Sequence, residues 1–291
     1  MSPHRPITPP TTPTTAPGQG RRPESAGPTP RPPVRERGRI RLPDRLPDRH
    51  RLTAALVTLL ARRSLWLEPE LAGLSELVRP GDVCVDVGAA AGLYTLTLSQ
   101  LTGPTGQVHS VEPLSFAHPA WSRLLGAHDR PNVARHTLAL SAEPGETTLS
   151  VPIGRLGPVT GRSFLTWQTD GLGSNAEFRA HADVLVPVDT LDRLCQRAAP
   201  TRLDFVKIDV EGAELHVLRG GAHTIETFRP NLLLEIEARH VARYRYTVQD
   251  VTQWLTSRGY TMHIWQHGWQ PTAVVCPHAR NYLFRPPARQ R

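Results

Sequence analysis

The chain has 291 residues and a formal charge of +8, enough length for a sizeable core and enough charge to raise nucleic acid as a partner. The charge is confined, however: residues 1–51 hold 11 arginines against 4 acids, so the rest of the chain is close to neutral and no nucleic-acid partner is expected for the folded body. No window approaches a membrane span, no apolar targeting segment follows the N-terminus, and Cys84, Cys195 and Cys276 fit neither a disulfide framework nor a zinc pair, so a cytoplasmic protein is expected.

Residues 1–51 also hold 13 of the 29 prolines and almost no apolar clusters. Such a stretch cannot bury enough surface to offset its ordering entropy, which predicts a disordered Arg/Pro-rich tail. The segment 52–80 reads as two helices, Leu52–Arg63 and Pro69–Val78, with apolar residues three and four apart. Residues 81–291 read as one catalytic or binding domain.

That domain opens on Val83-Cys-Val-Asp-Val-Gly-Ala-Ala-Ala-Gly92, an apolar β-branched run that breaks at Gly88 and resumes at helical spacing with Leu93, Leu96 and Leu98. Strand, glycine turn and helix make the first unit of a doubly wound nucleotide-binding sheet. A dinucleotide fingerprint wants Gly-x-Gly-x-x-Gly, but Ala90 stands at the middle glycine and Asp86 puts a carboxylate at the strand end. The carboxylate would repel a pyrophosphate and suits S-adenosylmethionine, which carries a sulfonium and an ammonium close together. Residues 107–112 read as the second strand, ending in Glu112, an acid able to accept both hydrogen bonds of a ribose diol.

Further along, 115–127 reads as a helix, Asn132–Leu140 as a third strand, Ser141–Glu146 as a turn and Thr147–Val151 as a short strand. Residues 152–182 are rich in Gly, Ser, Thr and Arg without firm periodicity. Phe164, Trp167 and Phe178 would be wasted in a disordered linker, so a substrate-facing flap is expected. Strands follow at Val184–Val188, Leu203–Val210 and Asn231–Ile236, interleaved with helices at Thr190–Ala198, Glu211–Leu218 and Val248–Arg258. Tyr260–Trp265 and Tyr282–Phe284 close the chain as an expected β-hairpin, with one strand antiparallel at or near the sheet edge. Alternation of this kind predicts a mainly parallel sheet with helices on both faces.

Lys207 is the only lysine beside 33 arginines, and it stands among Asp204, Asp209, Glu211 and Glu214. A surface ion-pair cluster is one reading. In an open α/β sheet, though, ligands bind outside the carboxyl ends of strands, where Asp209 and Glu211 fall.

Asp86-Val-Gly-Ala-x-x-Gly92, Glu112-Pro113, Thr190-Leu-Asp192, Lys207-Ile-Asp-Val-Glu-Gly-Ala-Glu214 and Arg229-Pro-Asn-Leu-Leu-Leu-Glu235 occur in that order. In this the chain resembles the FkbM family of S-adenosylmethionine-dependent methyltransferases, over about residues 68–285. The resemblance implies a Rossmann-like class I methyltransferase fold with a seven-stranded, mainly parallel sheet. It implies cofactor contacts at Asp86, Gly88, Gly92 and Glu112, with Ala89 and Pro113 inside the same motifs. It also implies O-methylation of a hydroxyl on a small acceptor, a natural product or a sugar. Ser115–Trp121 and His216 depart from the family pattern, and both bear on the acceptor rather than the cofactor.

For such a reaction Asp209 is the first candidate for base or acceptor-orienting group and Glu211 the second, while Lys207 would balance their charge. Asp209, Glu211 and Glu235 could hold magnesium, but no spacing demands it and no metal is expected. His181 and His240 read as ordinary solvated or hydrogen-bonded side chains. Two rivals stand beside this reading, a Rossmann oxidoreductase using NAD and a non-catalytic RNA-binding module, and nothing in the pattern fixes an oligomeric state.

Overall fold

The computed structural model describes residues 68–114, 130–155 and 157–287; the tail, the helix expected at Leu52–Arg63 and the helix expected at 115–127 lie outside them. A 3-10 helix, Pro69–Glu76, comes first, where an α-helix is expected. Trp269 Nε1 donates to the Gly73 carbonyl (3.2 Å), the acceptor that an α-helix would offer to Leu77, and Leu77 N bonds Leu74 instead. Strand β1 (Val83–Val87), helix α1 (Leu93–Thr102) and strand β2 (Gln107–Val111) follow as expected.

The expected strand at 132–140 is split between two sheets. β3 (Val133–His136) continues the first, and β4 (Ala139–Leu140) starts a second with β5 (Gly145–Gly154), β6 (Gly157–Pro158), β7 (Phe164–Leu165) and β8 (Ala180–Asp189). Residues 152–153 and 180–182 are therefore not flap but the paired ends of an antiparallel ladder between β5 and β8. That ladder is hard to see in sequence because most of β8 faces outward, with Leu185 68% exposed. Only Leu149, Val151, Leu165, Val186 and their neighbours form its small core.

The rest of the chain returns to the first sheet: α2 (Leu191–Ala198), β9 (Phe205–Ile208), α3 (Glu214–Gly220), α4 (Ala222–Phe228) and β10 (Asn231–Glu235). Then come α5 (Ala238–Val241), α6 (Val248–Thr256), β11 (Thr261–Trp265), β12 (Trp269–Pro271) and β13 (Asn281–Arg285). The sheet order is β12-β11-β13-β10-β9-β1-β2-β3, with β1, β2, β3, β9 and β10 parallel and β13 antiparallel to both its neighbours.

Two expectations need correction here. The sheet has eight strands rather than seven, and although β11 and β13 pair antiparallel as expected, β12 comes between them in the chain and makes the hairpin with β11, Trp265 opposite Trp269. β13 lies inside the sheet, not at its edge. Its Tyr282, Leu283 and Phe284 are fully buried, apolar on both faces as an interior strand requires. β12 carries Pro271, which an edge strand tolerates because its missing N–H leaves no ladder bond unmade.

Both faces of the sheet are covered. Val85, Val87, Val206, Ile208, Leu232 and Leu234 pack against α2, α3, α4 and α6. Cys84, Phe205, Leu233 and Leu283 pack against α1, the 3-10 helix and Trp269. Side chains alternate faces along each strand, so one strand feeds both layers.

Candidate active site

A cavity of about 300 Å³ opens where the carboxyl ends of β1, β2, β9 and β10 meet. One wall is the glycine turn. Gly88 has φ +78°, and a Cβ there would overlap the carbonyl oxygen of Asp209 on the next strand's exit loop. Asp209 N in turn donates to the Val87 carbonyl (3.0 Å), so the two loops are fixed against each other. Gly88 N and Ala89 N donate to the Val111 carbonyl (3.0 and 3.1 Å), and Gly92, with φ +87°, caps α1.

Glu112 closes this wall. Its Oε2 accepts from Ala90 N and its Oε1 from Leu114 N, both at 2.9 Å. Burial pushes its carboxyl above the usual range, and these two backbone donors oppose that. Each oxygen keeps a free lone pair, which is what a ribose diol needs. Val87, Gly88, Ala90, Glu112 and Pro113 line the cavity.

Asp86 lies elsewhere. It sits on the α1 side of β1, 1% exposed, and accepts from Thr95 Oγ1 at 2.6 Å. Burial raises its carboxyl to about 6 despite the Thr95 bond. It braces the helix that the glycine turn starts and does not line the cavity; Ala89 and Gly92 likewise shape the turn from behind.

The opposite wall holds Asp209, Glu211, Glu235, Glu237 and His240. Lys207 stands beneath it, fully buried. Its Nζ lies 3.2 Å from Asp209 Oδ2, donates to Asn281 Oδ1 (2.9 Å) and sits 5.0 Å from the Tyr94 ring centre. Burial alone would lower the lysine, but Asp209, Glu68 and Glu235 outweigh it and keep the ammonium charged. Burial likewise acts to raise Asp209, yet Lys207 and a hydrogen bond from Glu235 hold it below the ordinary carboxylate range. Glu235 is pushed far up, by burial first and by Asp209 second, so it keeps its proton and donates it toward Asp209.

Glu211 has φ +55°, and Gly212 next to it has φ +105° and lies so close to the His240 carbonyl that a Cβ would overlap it. Glu214 is turned away. It accepts from Gly212 N (3.0 Å) and Val210 N (3.3 Å), clamping the loop, and burial raises it to about 7.

His240, expected to be an ordinary histidine, is 2% exposed and lines the cavity, with Nδ1 3.0 Å from Glu211 Oε2. Its helix α5 is four residues long, too short for periodicity to have placed it. Of the three aromatic residues expected on a flap, Phe164 reaches the cavity, along with Arg162, Ser163 and Leu165. Trp167 packs edge-on to His216 and Phe178 lies under Arg162. His181 is not among the cavity residues. Arg243, fully buried, donates to the Glu211 carbonyl (3.2 Å) and Ser174 Oγ (3.0 Å) and lies 4.1 Å over the Phe164 ring, a strut that sequence reading missed.

A sequence profile of the methyltransferase FkbM domain matches residues 86–262, more than half of the chain. No curated protein matches it. Among solved structures, the methyltransferase FkbM from Methylobacillus flagellatus KT is 16% identical with a TM-score of 0.44, covering 81% of this chain and 59% of that one. This chain thus spans less than two thirds of that protein. An S-adenosylmethionine-dependent O-methyltransferase from Thermotoga maritima is 10% identical with a TM-score of 0.41, covering 82% and 73%. The O-methyltransferase TomG from Streptomyces achromogenes, solved with S-adenosylmethionine, is 14% identical with a TM-score of 0.41, covering 80% and 89%.

Proposed function

We propose that this chain, which belongs to the FkbM family of S-adenosylmethionine-dependent methyltransferases and has their Rossmann-like class I fold, methylates a hydroxyl oxygen of a small acceptor such as a natural product or a sugar. The observation that carries the reading is one cavity with two unlike walls. The glycine turn and Glu112 offer backbone and carboxylate to a nucleoside, and an acid cluster faces them across the remaining space. S-adenosylmethionine, when bound, supplies the activated methyl group.

The chain's own residues have three tasks. Gly88, Ala90 and Glu112 would hold the nucleoside, and Asp86 would act through α1 by fixing the turn. Arg162, Ser163 and Phe164, reaching over the mouth from β7 and the turn before it, would exclude water and bound the acceptor. Transfer forms an oxygen–carbon bond as the carbon–sulfur bond breaks with its electron pair left on sulfur. The hydroxyl proton must therefore go to a neighbouring acceptor. Asp209, kept ionised by Lys207, is the group we assign to orient the hydroxyl and receive that proton, with Glu211 as its alternate.

The two cysteines Cys84 and Cys195 are buried free thiols, and no helix among the described residues is long and apolar enough to cross a membrane. The free thiols fit a reducing, cytoplasmic setting.

Calorimetric titration of the full chain with S-adenosylhomocysteine, with NADH alongside, tests the cofactor assignment. Micromolar binding of the first alone, weakened about tenfold or more in Glu112→Ala by loss of a charged hydrogen-bond partner, is the expected result. NADH binding instead would overturn it. Asp209→Ala should keep that binding and lose turnover on a hydroxylated acceptor; normal turnover would remove Asp209 from the mechanism.

A further inference from the structure

We propose that Glu211, Glu235 and His240 form a divalent-metal site on the acceptor wall, suited to a first-row transition ion such as Mn2+. The three residues come from the loop after β9, the end of β10 and α5, and each brings one ligand atom within 4.8 Å of the others. This revises the expectation that no metal is needed. Sequence spacing hid the site because its histidine comes from an element that two loops fold back onto the strand ends.

Two of the three residues carry polar atoms without a hydrogen-bond partner. Glu211 Oε2 and both ring nitrogens of His240 make no hydrogen bond, although His240 is 2% exposed and the Glu211 side chain 12% exposed. A buried polar group left unpaired costs about 1–3 kcal/mol, so an idle imidazole nitrogen beside an idle carboxylate oxygen wants a common ligand, to which the ring can offer one of its two nitrogens. The 3.0 Å approach of His240 Nδ1 to Glu211 Oε2 is out of line for a hydrogen bond. It is nonetheless the spacing of two ligands at right angles around one ion, since bonds of about 2.1 Å give an edge of about 3 Å.

The donor set narrows the ion. Magnesium and calcium take oxygen almost exclusively, whereas a site of one imidazole and two carboxylates, formed once the ion displaces the proton that Glu235 shares with Asp209, suits manganese, iron or zinc. The surrounding charge agrees: Asp209 and Glu237 add to the acids, Lys207 is committed to Asp209 and Asn281, and Arg239 is paired with Glu237. Three protein ligands leave coordination positions open toward the cavity. That one of them takes the acceptor's hydroxyl, lowering its pKa, rests on the methyl-transfer reading above; that an ion binds at all does not.

The test is titration of the metal-stripped full chain with Mn2+, following the electron paramagnetic resonance signal of the free aqua ion. The expected result is uptake of one ion per chain, weakened about tenfold or more in Glu211→Gln and His240→Ala, the scale seen when a metal's supporting groups are removed. Glu177→Gln, exposed and outside the cavity, should bind as the parent does. Absence of uptake, or equal uptake by all variants, overturns the site. Thermal unfolding checks each variant's fold, and the near-isosteric Glu211→Gln decides if His240→Ala does not fold. S-adenosylhomocysteine binding without Mn2+ uptake sinks the metal site alone; Mn2+ uptake without S-adenosylhomocysteine binding sinks the transfer reading alone.

Discussion

Gly88 is held to glycine by two separate demands, a left-handed backbone and the Asp209 carbonyl pressed against it. Gly171 shares the first (φ +85°) but faces open space. Gly171→Ala should therefore cost only the conformational term, about 1–2 kcal/mol. Gly88→Ala should cost about 3 kcal/mol or more, because the overlap forces two site loops apart. Urea midpoints of the two variants check the difference, and equal shifts would mean the loops yield easily. Asp86 makes a prediction in pH. Its folded carboxyl titrates at about 6, against about 3.9 in an unfolded chain. The native state thus binds the proton more tightly, and the stability this confers is full below about pH 4 and lost as pH rises to about 6, a fall of about 3 kcal/mol. Asp86→Asn keeps an acceptor for Thr95 and cannot ionise. Its urea midpoint should gain on the parent between pH 4 and pH 7, and parallel profiles would show that Asp86 ionises without cost.

Among the elements, the parallel strands were legible because both their faces are apolar, and the glycine turn because only glycine suits it. The motif Thr190-Leu-Asp192 proves to be helix chemistry: Thr190 Oγ1 accepts from Arg193 N to cap α2, and Asp192 accepts from Thr224 N and His223 N at the start of α4. The second sheet was not legible, since β5 and β8 pair across a long insertion and β8 shows solvent most of its residues. Nor was the full acid wall. Asp209, Glu211 and Glu235 stand in motifs that the sequence already groups, but His240 joins them only through folding. Arg243 ties that wall to the insertion through Glu211, Ser174 and Phe164. Arg243→Ala removes two hydrogen bonds and a cation–π contact, a loss of about 2–4 kcal/mol. The expected outcome is faster tryptic cleavage at Arg155, Arg162 or Arg179 with S-adenosylhomocysteine binding kept. Unchanged cleavage would mean that the insertion is held by its own ladder.

Across the whole molecule, the last strand of the chain, β13, is an interior strand of the sheet. It enters between β10 and β11, and its Asn281 both accepts from Lys207 and donates to Glu68 (3.0 Å), whose carboxylate also accepts from Tyr94. A chain ending at Val275 should bury neither Lys207 nor the neighbouring strand edges and should not bind S-adenosylhomocysteine. Adding a peptide of residues 276–287 should restore binding by filling the gap, since an added strand supplies main-chain bonds on both sides; failure of the peptide, with the shortened chain folded, would refute this role. The consequence reaches into protein synthesis. While a ribosome is still making the polypeptide, strands β1 through β10 can emerge and pair, yet the acid wall has no floor until residue 285 has been added. If the methyl-transfer proposal holds, an interrupted translation product would lack that floor however much of the familiar motif it contains, and would leave the methyl donor untouched.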